Sequence, residues 1–282
     1  MPLGRLLRRA LRSDPSLEYL VYAPPTRKAA PRVMVAVHGS SARWVSQVKT
    51  LAGHCDREHV VLIAPRMDDQ RLPRYQRLGS DARRADLFLN ECVQEAGHLA
   101  GADVSKVFMF GHFGGAQFAH RYAMAYPHRV HALVAASAGW YTFPDTSAKF
   151  PYGIRSSRSL PGLTFDPEQY LQVPMYVMVG TQDTGTERVR RNDRVDAQQG
   201  STRIERARRW VAAMQAQAQA HALPPRVELT ELPGAGHSFE SLCRDAALAE
   251  RTFLLFHPAS PEGEFHEARS RKNSPDARAA TK

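Results

Sequence analysis

The sequence predicts an α/β fold: a mostly parallel sheet with helices on both faces and an aromatic, lid-like insertion. Two observations carry this expectation. Short, continuous apolar and β-branched runs recur along the chain, as expected of strands buried on both faces. Stretches of helical length separate them, an alternation that specifies parallel pairing.

In chain order, "LEYLVY" (17–22) has the aromatic and branched content of a short edge strand. "VMVAVHG" (33–39) and "VVLIAP" (60–65) read as buried strands, with a helical stretch at 43–56 between them. Residues 81–100 read as a helix with Asp81 as a plausible N-cap. "VFMF" (107–110) leads into the corner Gly111-His112-Phe113-Gly114-Gly115 and a helix that ends before Pro127. The strands "ALVAASAG" (132–139), "MYVMVG" (175–180) and "RVELTELP" (226–233) follow, with helical stretches at 203–221 and 240–256 after the last two. Residues 140–172 interrupt the alternation with Trp140, Tyr141, Phe143, Phe150, Tyr152, Phe165 and Tyr170 among four prolines. Such an insertion after a strand end forms a pocket wall or lid, or staples a loop onto the body.

Composition bounds the function. Hydrophobic residues make up 43% of the 282-residue chain, enough for a sizeable core, and no apolar run approaches a membrane span. The three widely spaced cysteines form no CxxC pair or zinc-like cluster, which points to a reducing compartment, a cytoplasmic location, and no structural metal or cofactor. His128 and His131, beside a proline at a helix end, read as solvent-exposed rather than as ligands. The net charge of +10 is concentrated at Arg5–Arg12 and Arg188–Arg209. "GRLLRRALR" puts Leu3, Leu7 and Leu11 on one face of a helix, read as a solvated basic N-terminal segment (1–14) rather than a lipid-binding or targeting peptide. The second cluster borders an anionic ligand's entry path or is a solvated helix face. No aromatic-interleaved basic stripe marks nucleic-acid binding, and no stable membrane insertion is expected. Residues 257–282 are polar and unpatterned and read as a mobile tail.

Ligands of such sheets sit at the carboxyl ends of the strands, and those ends carry a constellation. His38-Gly39-Ser40 follows the first buried strand, and Gly111 to Gly115 follows "VFMF". Thr181-Gln182-Asp183 follows "MYVMVG", and Gly234-Ala235-Gly236-His237 follows the last strand. An acid and a histidine in this chain order behind a strand–turn–helix corner match the Asp…His half of a catalytic triad.

On these residues the chain, from about residue 15 to 256, resembles the α/β-hydrolase family. The run "GGAQFAHRYAMAYPHRVHALVAASAGWYTFPD" is similar to its esterase and polyhydroxyalkanoate-depolymerase-like members. The resemblance implies that Asp183 orients His237, that His237 is general base and acid, and that the Ser40 and Gly114 amides form the oxyanion hole. It also implies that Gly111 and Gly115 frame a nucleophile elbow. The family's serine falls on Phe113, a side chain with neither nucleophile nor exchangeable proton. The family's elbow further implies a positive φ at Phe113.

Ser137, Ser40, Ser41 and His112 lie near strand ends, but none is placed where the elbow aims an atom at His237. Three functional readings remain open. One is a hydrolase relative without serine turnover that keeps a pocket for a small or polymeric ester or acyl ligand. Another is an enzyme using the His237–Asp183 dyad without a covalent intermediate, and the third is a partner-binding scaffold.

Overall fold

In the computed structural model of the chain, residues 1–26, 31–39, 43–186 and 189–256 are described. The strands are β1 (Leu6–Ala10), β2 (Glu18–Tyr22), β3 (Arg32–Val37), β4 (Val60–Pro65), the short ribbon β5 (Gly79–Ser80) and β6 (Arg83–Arg84), β7 (Val107–His112), β8 (Val130–Ala136), β9 (Met175–Gly180) and β10 (Val227–Leu232). The helices are α1 (Trp44–Glu58), α2 (Ala85–Ala100), α3 (Gly114–Ala125), α4 (Pro167–Tyr170), α5 (Asp193–Gln199), α6 (Arg203–Ala220), α7 (Phe239–Ala246) and α8 (Leu248–Leu255).

One eight-stranded sheet has the order β1-β2-β4-β3-β7-β8-β9-β10. From β4 to β10 every neighbouring pair is parallel, while β2 runs antiparallel to β4 and β1 antiparallel to β2. Side chains alternate between two apolar layers because successive residues of a strand point to opposite faces. Val33, Val35 and Val37 of β3 pack with α2, α3 and α6 residues such as Leu89, Phe118 and Trp210. Met34 and Ala36 pack on the opposite layer with Leu51 of α1, Leu242 of α7 and Phe253 of α8. This two-sided burial explains the absence of polar alternation in the central strands.

Four local readings of the sequence are corrected. The "LLRRA" stretch is β1 and not a helix, with Leu6 paired to Tyr22 and Ala10 to Glu18. A helix this short is marginal alone, whereas β2 offers an open ladder and Glu18 a bidentate partner for Arg8 at 2.8 and 2.7 Å. The sheet edge is therefore β1, whose arginines discourage pairing with another chain, and β2 lies inside it. The helix expected from Asp81 starts at Ala85, because β5 and β6 occupy residues 79–84 and Arg84 takes the cap position. The stretch 240–256 divides into α7 and α8 at Ala247, whose φ of 52° breaks the helix.

His128 and His131 are exposed, as expected. No described helix is long and apolar enough to cross a membrane. The stretch read as a mobile tail lies outside the described residues.

The 140–172 insertion holds its chain mainly through buried aromatics. Tyr141 stacks on Trp210 with centroids 4.8 Å apart, and the Trp210 indole donates to the Thr142 carbonyl at 2.7 Å. Phe150 stacks on Phe165 at 5.4 Å. Gln199 of α5 closes the segment from outside, accepting from the Tyr141 amide and donating to the Tyr141 carbonyl, both at 2.8 Å.

Candidate functional site

The corner between β7 and α3 is built by steric necessity. Phe113 sits at φ 50° and ψ −108°, a conformation that costs a non-glycine residue about 1–3 kcal/mol. Its amide donates to the Ala136 carbonyl at 2.9 Å, and its carbonyl accepts from the Gln117 amide at 3.1 Å, so strand and helix bonding meet at this residue. A Cβ on Gly115 would lie 2.1 Å from the Val37 carbonyl oxygen, and one on Gly111 would lie 2.5 Å from the Gly115 carbonyl oxygen. Only glycine permits the close crossing at these two positions. Gly114 opens α3, so its amide has no carbonyl within the helix to bond and is presented at the helix N-terminus.

The acid and histidine loops are tied to each other before their side chains meet. The Thr181 amide donates to the Leu232 carbonyl at 2.9 Å, and the Gln182 amide to the Ala235 carbonyl at 3.0 Å. The Gly234 amide donates to the Thr181 hydroxyl at 3.0 Å. A Cβ on Gly180 would meet the Ala235 carbonyl oxygen at 2.2 Å, so this crossing also requires glycine. The result is a hydrogen bond of 2.9 Å between His237 Nδ1 and Asp183 Oδ2. The acid is buried at 1% side-chain exposure while the imidazole keeps 33%, the arrangement of a fixed carboxylate behind an accessible base.

Asp183 has a second partner that sequence reasoning missed. Arg203, the first residue of α6, donates through Nη1 to Asp183 Oδ1 at 2.8 Å and to the Gly185 carbonyl at 3.2 Å. Burial pushes the Asp183 pKa up, but the His237 hydrogen bond and the charges of His237 and Arg203 outweigh it, so the carboxyl is held below its usual range. The Ser137 hydroxyl beside it adds a weaker effect in the same direction, its geometry falling outside that of a hydrogen bond. The Thr202–Glu205 capping box, with its reciprocal side-chain bonds, fixes the start of α6 and with it Arg203.

His112 is a second residue whose role was not legible. Its Nε2 donates to the His237 carbonyl at 3.0 Å, which pins the histidine loop to the end of β7. Burial drives its pKa down to about 4, so the ring is neutral at physiological pH. His38 is likewise neutral through burial, with Nδ1 donating to the Gly39 carbonyl at 2.6 Å and Nε2 accepting from the Met67 amide at 2.9 Å. It braces the turn after β3.

These elements bring Phe113, Asp183, His237, Gly111, Gly114 and Gly115 to the carboxyl ends of β7, β9 and β10. Ser40 lies outside the described residues. The Phe113 ring meets the His237 ring edge-on, with centroids 4.8 Å apart and planes at 84°. It also lies under the Arg203 guanidinium at 5.3 Å. A phenyl group thus fills the space between base and corner. A cleft of about 220 Å³ opens beside it, lined by His38, His112, Phe113, His237, Phe239 and Glu240 among others.

No protein-family model matches the chain, and no curated protein matches it. Solved structures do. The structure of poly(aspartic acid) hydrolase-1 from Sphingomonas sp. KT-1 is similar with a TM-score of 0.73 at 21% identity, covering 86% of this chain and 94% of that one. The poly(3-hydroxybutyrate) depolymerase LpqC from Bordetella parapertussis gives a TM-score of 0.71 at 26% identity, covering 88% and 86%. The fluorophosphonate-binding serine hydrolase FphF of Staphylococcus aureus gives 0.59 at 13% identity, covering 91% and 100%. The chain has the α/β-hydrolase fold.

Proposed function

We propose that this α/β-hydrolase-fold chain descends from carboxylic-ester hydrolases, has lost covalent serine turnover, and keeps a pocket for an ester or acyl ligand. The observation that carries the proposal is Phe113 at the elbow, facing an acid–histidine pair with working geometry. In an active relative, a hydroxyl at this corner passes its proton to the histidine as it attacks a carbonyl, and amides such as that of Gly114 stabilise the oxyanion. Here the ring supplies neither proton nor electron pair. The polymers named for two of the structural neighbours, poly(aspartic acid) and poly(3-hydroxybutyrate), support a polymeric acyl ligand as well as a small one.

A second reading is favoured by one observation. His237 Nδ1 is held by Asp183, which fixes the tautomer and leaves Nε2 as the basic nitrogen at the cleft. In this reading the dyad acts on water or on an acidic C–H without a covalent intermediate.

Hydrolysis of short p-nitrophenyl esters separates the two. Under the first reading the purified chain shows no turnover above background and no fluorophosphonate labelling. Turnover that disappears in His237→Ala establishes the dyad enzyme and overturns the first reading.

A further inference from the structure

Phe113 also lines a second cavity of about 480 Å³, distinct from the His237 cleft. Arg77 and Arg190 face it, together with Gln76, Gln117 and Trp140, and no carboxylate is among its described lining residues. Arg77 is half-buried and makes no ion pair among the described residues. Asp69, whose charge bears on Arg77, is engaged by the Arg74 amide at 3.2 Å and the Gln76 amide group at 3.4 Å. Arg190 reaches the Tyr152 hydroxyl at 3.3 Å and lies over the Trp140 ring at 5.3 Å.

A third cation stands behind this wall. Arg121 is wholly buried, lies 4.3 Å over the same Trp140 ring, and is held by the Thr142 hydroxyl and the Gln76 and Gln117 carbonyls, none of them charged. Burial and the neighbouring charges of Arg190 and Arg74 depress the Arg77 pKa, outweighing the opposing influence of Tyr152 and Asp69. Two planar, multi-donor forks, the Gln117 side-chain amide and an aromatic wall make a recognition surface for an anionic oxygen group joined to an organic body.

We infer that this cavity binds a carboxylate or phosphate borne by the ligand, with Arg77 and Arg190 as its charge partners and Trp140 as its apolar wall. The inference rests on the reading that the chain keeps an acyl pocket, and it narrows the ligand to an acidic one. Gly114, at the cavity rim and at the start of α3, places the anion next to the corner rather than on a remote surface.

The test is titration of the full chain with glutarate, inorganic phosphate and neutral glutaramide, followed by calorimetry and by tryptophan fluorescence. Saturable binding of at least one anion is expected, weakened by salt and absent for glutaramide. Preference between glutarate and phosphate assigns the ligand group. Arg77→Gln and Arg190→Gln each weaken the preferred anion about tenfold. Arg208→Gln, which removes a surface partner of Glu231, leaves binding unchanged. The inference is overturned if neither anion saturates at millimolar concentrations or if glutaramide binds equally. It also fails if the two variants, folded by circular dichroism, bind as the parent does. Binding is read without turnover, so these outcomes are separate from the ester assay that tests the hydrolase ancestry.

Discussion

The corner at Phe113 and the paired loops of Asp183 and His237 stand at the ends of strands in one sheet, and they differ in the side-chain chemistry they carry. The loops hold crossed amides, a buried carboxylate and an imidazole at 2.9 Å from it. The corner has a positive φ and two glycines in close contact, and its side chain has no reactive atom. Backbone geometry and side-chain chemistry are therefore separable. The corner is fixed by contacts of Gly111 and Gly115 with neighbouring carbonyls, and those contacts do not depend on what Phe113 carries.

The sharpest way to break this comparison is Phe113→Ser. If the loops are still competent, ester turnover or fluorophosphonate labelling rises by about 10³-fold or more over the parent. A folded variant that stays unlabelled shows that the loops have lost competence too.

Gly115→Ala tests the corner itself. With a Cβ placed 2.1 Å from a backbone oxygen, it is expected to cost about 5 kcal/mol or to prevent folding, measured by urea denaturation. A loss below about 1 kcal/mol shows that the corner relaxes freely.

Arg203→Met tests the loops. It leaves Asp183 buried with one partner and is expected to cost about 4 kcal/mol, as for a broken buried pair. In the Phe113→Ser background it also lowers kcat, because the carboxylate that orients His237 loses its second anchor.

The pH dependence gives a smaller effect with a defined sign. His112 has a folded pKa of about 4 against a usual 6.5, so the unfolded chain binds the extra proton first. Its contribution is complete above pH 6.5 and is lost as pH falls towards 4, a loss of up to about 3 kcal/mol. Asp183, depressed in the fold, adds a further loss as pH falls below its usual 3.8. Urea midpoints between pH 7 and 4 check the first slope, and His112→Gln should reduce it, with buried His38 and His120 contributing in the same direction. Smallest of all, Arg208→Gln should leave the urea midpoint unchanged, since its pair with Glu231 is exposed.

Legibility followed the range of the deciding interaction. Asp183 and His237 could be read because each follows a buried strand by a few residues, and strand ends converge in a parallel sheet. Arg203 could not, since it meets Asp183 only through the placement of α6 against the loop after β9. His112 looked like a bystander of the corner because its partner, the His237 carbonyl, lies 125 residues away. The arginine-rich stretch, read as bordering a ligand entry path or as a solvated helix face, lies partly in the interior. Arg203 and Arg206 are buried, while Arg190 faces a cavity. The strand β1 escaped notice because its conformation is set by the open edge of β2.

The sequence by itself determined the alternation of strands and helices, the glycines of the corner and the phenyl side chain at residue 113. Apolar periodicity and the absence of a Cβ act locally, so residue identity suffices to read them. The tertiary structure alone decided that the Phe113 ring packs edge-on against His237, that Arg203 pairs with Asp183, and that Arg77 and Arg190 line one cavity. Those outcomes depend on distances between side chains far apart in the chain, which only packing of the two layers onto the sheet sets.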